Sequence, residues 1–119
     1  MDLETLRRVI ENEIQNYQYH AVNALGTPWT TDRVDAELDT MKTALVAPYW
    51  ADIELRDTRE QIAAKPALSR KCAVVADDLH GTVLVFDPTE NEFMLAVRHK
   101  DELLSIGVRG DAVGCFMSR

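Results

Sequence analysis

The sequence predicts an α+β domain in which an N-terminal helical hairpin packs on a C-terminal, mostly antiparallel meander sheet of five to six strands. Three observations predict it. Apolar residues recur every three or four positions through the first 45 residues, the spacing that stacks side chains on one face of a helix. From Lys71 onward the pattern changes to short apolar runs divided by turn residues. The connections between those runs are too short for parallel crossovers.

The first helix is read from Leu3, Leu6, Ile10, Ile14, Tyr17, Ala21 and Leu25, with Asp2 capping its start and Gly26 its end. Val34, Leu38, Met41 and Leu45 repeat the spacing in a second helix, with Thr30 or Thr31 as N-cap and Pro48 as stop. Ala51, Ile53 and Leu55 then alternate with Asp52, Glu54 and Arg56, the period-two pattern of a half-buried strand. Asp57 followed by Glu60 has capping-box spacing and predicts a short helix over 58–65, closed by Pro66. The remaining strands are expected at 72–76, 82–86, 92–99, 103–108 and 112–117. Residues 1–119 thus form one domain: the hairpin over 1–47, an edge strand and connection over 48–70, and the meander over 71–119.

Both faces of this sheet are apolar. Phe93, Leu95 and Val97 make one row, but Met94 and Ala96 make another, and Val83 and Val85 alternate with Leu84 and Phe86. Two helices cover one face, so the second is expected to be closed by curling of the sheet, by the 57–70 connection, or by another chain. Val83, Val85, Met94 and Ala96 are the residues expected to associate, in a two-fold dimer or a hetero-complex, if another chain supplies the cover.

Composition narrows the function classes. The 119 residues are 46% hydrophobic and 28% charged, an ordinary globular balance. No apolar run approaches a membrane span. Acids at Asp2 and Glu4 stand where a secretory signal has positive charge, which predicts no export and a cytoplasmic location. The net charge of −7 argues against a nucleic-acid partner and for a basic protein partner. Cys72 and Cys115 read as two buried, reduced thiols.

No motif specifies a reaction. Asp77-Asp78-Leu79-His80 gathers potential ligands beside a strand end, but the same residues suit a hairpin turn. His20, His80 and His99 fall in no metal spacing, so neither metal nor cofactor is expected. A site that joins His80 or His99 to Asp77, Asp78 or Cys72 at the helix–sheet seam is the enzymatic alternative. Gly107, Gly110 and Gly114 are read as no phosphate loop, since no helix is expected after them, and Arg109-Gly110-Asp111 as a turn.

The clearest charge feature is in the second helix, where Asp32, Asp35 and Asp39 share one face and Glu37 flanks them. Such a face is either plain solvated surface or a dock for a basic partner. Trp29 and Trp50, at opposite ends of that helix, either lock it to the sheet or anchor the partner. In size, acidity and lack of a catalytic motif the chain is similar to bacterial immunity and antitoxin-like proteins. That likeness of composition implies sequestration of a basic toxin, and it extends to no individual residue. A homodimer without chemistry is the third reading.

Overall fold

The structure is a computed structural model that describes residues 1–18 and 29–119. It is an α+β fold, with N-terminal helices followed by a five-stranded antiparallel meander. Helix α1 (Leu3–Gln15) starts where the Asp2 carboxylate accepts the Thr5 N–H at 2.7 Å, and it buries Leu6, Ile10 and Ile14. It stops ten residues before Leu25. Asn16 ends it by folding its side-chain amide back onto the Asn12 carbonyl at 2.9 Å, and Tyr17 is no longer helical. Ala21, Leu25 and the expected Gly26 cap lie outside the described residues.

Helix α2 (Thr31–Ala44) is capped by Thr30, whose hydroxyl accepts from the Arg33 N–H at 3.1 Å. Leu45 was expected inside this helix. Instead it takes an extended conformation and starts strand β1 (Leu45–Glu54), so helix passes into strand without a loop. Pro48, expected as the helix stop, sits where the β1 register shifts between Leu45 and Tyr49, a place that needs no donor from it. β1 is therefore six residues longer at its start than the alternation from Ala51 indicates.

The short helix is present as α3 (Arg59–Ala63), but its capping box joins Thr58 and Gln61 rather than Asp57 and Glu60. The one-residue difference leaves the Asp57 carboxylate free for another task. Strands β2 (Ser69–Asp77), β3 (Thr82–Asp87), β4 (Glu92–His99) and β5 (Glu102–Gly110) follow in hairpin sequence. Gly81, at φ 99°, supplies the left-handed backbone that the β2–β3 turn requires.

The sheet curls until β5 returns to β1, where Ile53 pairs with Leu103 and Glu54 with Leu104 in parallel. Register shifts in the β2–β3 and β4–β5 pairs supply the bends that closure needs. Closure explains the two apolar faces. Ile53, Cys72, Val74, Val83, Val85, Met94, Ala96 and Leu103 fill the barrel. Ala73, Val75, Leu84, Phe86, Phe93 and Leu95 point outward beneath the helices.

The last expected strand is a helix, α4 (Ala112–Met117). Its apolar run packs Ala112, Val113, Cys115 and Phe116 onto the outer face beside α1 and α2. A run this short has no periodicity to separate strand from buried helix. Asp111 decides for helix by capping it, its carboxylate accepting from the Gly114 N–H at 2.8 Å. Hence a helix does follow Gly110, contrary to the reading of the glycines, and Arg109 and Gly110 end β5 rather than forming a turn.

Candidate functional site

The four residues expected to associate through the second sheet face lie inside the barrel. Val83, Val85, Met94 and Ala96 are each 1% exposed or less, covered by their own chain. The expectation of a dimer through this face fails because curling supplied the cover.

The enzymatic constellation is not assembled. His80, in the β2–β3 turn, and His99, at the end of β4, are exposed, and neither side chain makes a hydrogen bond among the described residues. Cys72 is sealed in the barrel, where burial pushes its thiol up to about 11 and so keeps it protonated and inert. Cys115, free and buried in α4, is pushed to about 12 by the same cause. His20 lies outside the described residues.

Asp77 and Asp78 are spent on the turn. Asp77 accepts from the Leu79 N–H at 2.8 Å and from Arg98 at 2.8 Å; Asp78 accepts from the His80 N–H at 2.8 Å and the Thr82 N–H at 3.1 Å. Burial alone would raise the Asp77 carboxyl, but the bonds from Arg98 and Leu79 outweigh it and hold it below the ordinary range. No group of three or more His, Cys, Asp or Glu able to hold a metal occurs among the described residues.

The densest polar cluster went unread in the sequence. It closes one end of the barrel, where the end of β3 meets the starts of β2 and β4 and the end of β5. Asp87, 0% exposed, accepts from Arg70 at 2.6 Å and from Arg109 at 3.0 Å. Arg109 also grips Asp57 at 2.7 Å and Glu92 at 3.3 Å. The second Asp57 oxygen accepts the Gly107 N–H at 2.9 Å, and Ser105 also bonds its carboxylate. For both Asp57 and Asp87 burial opposes ionisation, yet the Arg109 hydrogen bonds and their companions hold each carboxyl below its ordinary value. Burial acts against the Arg109 cation too, but its carboxylate partners raise its pKa above the ordinary arginine range. Every strong donor here already faces an acceptor of the same chain, so the cluster is a fastening rather than a reaction centre.

The N-terminus of α4 is filled in the same way. Glu13 of α1 accepts from the Ala112 N–H at 3.3 Å and the Val113 N–H at 2.6 Å, taking the position an anion would need. Burial, more than any neighbour, pushes the Glu13 carboxyl up.

What remains open is the outer face of α2. Asp32, Asp35 and Asp39 are exposed, and Asp32 and Asp35 enter no ion pair among the described residues. Asp39 has only Lys42, at 3.8 Å with both side chains largely in solvent. Glu37 is different, being held by Arg119 at 2.8 Å. Trp29 is half-buried beneath Arg33, whose guanidinium lies 3.9 Å from the ring centre. Trp50 is 43% exposed on β1, so it does not lock the helix to the sheet.

No helix among the described residues is long and apolar enough to cross a membrane. No family model, curated protein or solved structure matches the chain.

Proposed function

We propose that the protein is a small acidic binding domain that uses the outer face of α2 to engage a basic protein, in its most concrete form neutralising a basic toxin as immunity and antitoxin-like proteins do. The observation that carries this reading is the unequal distribution of matched charge. Arg70, Arg98, Arg109 and Arg119 are taken up by carboxylates of their own chain. The α2 face keeps Asp32 and Asp35 in water and without an ion pair among the described residues. A net charge of −7 adds a long-range field of the same sign, which speeds and orients the approach of a basic surface. Arg33, the base nearest these acids in the sequence, lies over the Trp29 ring at 3.9 Å and enters no ion pair with them among the described residues.

The test is affinity capture from the source cell at low and at high salt, run with the wild-type chain and with an Asp32→Lys/Asp35→Lys/Asp39→Lys variant. A basic protein held by the wild type, released by salt and missed by the variant is expected. Equal capture by both chains, or no basic protein at low salt, overturns the reading.

A further inference from the structure

The barrel closes over only part of β1. β5 begins at Glu102 and pairs with β1 at Ile53 and Glu54, so the stretch of β1 before Asp52 has β2 on one side and no strand on the other among the described residues. Tyr49 and Trp50, 42% and 43% exposed, stand on this stretch, the Tyr49 side chain bonded by Arg98 and the preceding Val46 carbonyl taken by Arg7 at 2.9 Å. Pro48 removes one donor and limits the usable edge to Tyr49–Asp52. Where the edge meets β5 there is a cleft of about 300 Å³ whose charged lining is Asp52, Glu54, Asp101 and Glu102, with no lysine or arginine among the lining residues. Asp101 and Glu102 enter no ion pair among the described residues; Lys71 reaches Asp52 at 3.8 Å with both side chains largely in solvent, and Glu54 is already taken by Arg56 at 3.0 Å. The exposed Lys100 at the turn lies outside the cleft lining.

We propose that this edge takes a short, extended, basic segment of a partner protein as an added strand, with a lysine or arginine of that segment entering the acidic cleft. Unpaired strand edges accept a further strand through backbone hydrogen bonds, while side-chain pockets beside them set the choice of sequence. Asp101 and Glu102, with the loosely held Asp52 beside them, select a cationic side chain, and Trp50 offers a flat ring against which its aliphatic stem can lie. A second copy of the chain is a poor occupant, because it would bring the same carboxylates to the same seam and add a like net charge. The partner chemistry matches that proposed for the outer face of α2, but the contact is a different one and stands or falls separately.

The experiment titrates the isotope-labelled full chain with a synthetic octapeptide of alternating lysine and threonine, the same peptide N-methylated throughout its backbone, and a glutamate–threonine counterpart. Amide shifts concentrated on Tyr49–Asp52 and on 101–103 are expected with the lysine peptide alone. Affinity should fall roughly tenfold or more on N-methylation, which removes the backbone donors. It should fall likewise in an Asp101→Lys/Glu102→Lys variant, whose changes lie on exposed side chains at the turn and the first residue of β5, whereas reversal of the α2 acids should leave it unaltered. Equal binding of the methylated peptide would show charge attraction without strand addition and overturn the proposal. So would shifts centred on α2, or no shift at millimolar peptide. Because the peptide reports on the edge and protein capture on α2, either contact can fail while the other holds.

Discussion

Two acidic regions of this molecule have opposite chemistry. At the closed end of the barrel, Asp57, Asp87 and Glu92 surround Arg109, with Arg70 on the far side of Asp87. On the outer face of α2, Asp32 and Asp35 enter no ion pair among the described residues. In the first group Asp57 and Asp87 are largely withdrawn from water and compensated by fixed cations, so its charges tie four strand ends to the connection after β1. The second remains hydrated, costs the fold little, and keeps its field directed outward. Carboxylates of one residue type thus divide between fastening and recognition according to whether a partner cation comes from the same chain.

The most severe way to break this comparison is to place an unmatched charge where only apolar groups lie. Met94→Lys would put an ammonium inside the barrel among Cys72, Val74, Val83 and Val85, with no carboxylate in that cluster. The expected loss is about 5 kcal/mol or more, comparable with the whole stability of many domains. Light scattering and far-UV circular dichroism check it. The variant should unfold or aggregate; a folded variant that differs only in association state would show the barrel interior to be a contact face after all.

Removing a matched charge should cost somewhat less. Asp87→Ala leaves Arg70 and Arg109 facing each other without the carboxylate between them, and both arginines keep part of their side chains in solvent, 26% and 21%. A loss of about 3 kcal/mol is expected in urea titration, the low end for a broken buried pair because of that residual hydration. The same fastening sets the acid limb. Asp57, Asp77 and Asp87 all titrate below the ordinary 3.8 when folded, so their contribution is complete above that value and is lost as pH falls through the lowered folded values. Glu13, raised by burial, acts the other way: its penalty is present above its folded value and is relieved as pH falls through it. With Asp2, lowered by its bond from the Thr5 N–H, four depressed groups stand against one raised group and give net acid destabilisation. The urea midpoint should drop steeply below pH 4, and less steeply in Asp87→Asn.

How far the sequence disclosed this depends on how local each signal is. The Asp2 and Thr30 caps and the turn residues between β2, β3, β4 and β5 act over a few positions, and each places the start of its element to within a few residues, whereas the stripe of α1 runs on in the sequence ten residues past the helix end. Val83 with Val85 and Met94 with Ala96 revealed a second apolar face, and curling, one of the covers considered, is what closes it. The fastening was not legible. Its members at 70, 87, 92 and 109 sit on four separate strand ends and Asp57 in the connection after β1, and only closure of the barrel brings them together. Asp57 also offered a competing local reading as a cap, a role that Thr58 takes instead. The α2 acids were legible because a helix fixes which residues share a face.

A smaller effect isolates the cap that turned the final segment into a helix. At Gly114 an added Cβ would collide with the Asp111 carboxylate that caps α4. Gly114→Ala should therefore displace that carboxylate and lose the cap, for about 1 kcal/mol, despite the better helix propensity of alanine. Thermal melting reads the loss. An unchanged or raised melting temperature would mean that Glu13, which accepts from the two preceding N–H groups, holds the helix end by itself.

The smallest expected change in stability is the one that sharpens the comparison most. Asp35 is exposed, has no ion-pair partner among the described residues, and lies beyond the first turn of α2. Asp35→Lys should alter stability by no more than about 0.5 kcal/mol, the ordinary range for a surface substitution away from caps and pairs. It nonetheless reverses the sign of the central charge on the face proposed to meet a basic partner. If that face is the dock, association slows and its salt dependence weakens while the melting curve stays in place, because a rim charge acts mainly on the encounter rate. Stopped-flow association with the captured partner, repeated across a salt series, separates the two quantities. An unaltered rate at low salt would return α2 to plain solvated surface, and the closed-end fastening would then be the only acidic group on these two faces with a task.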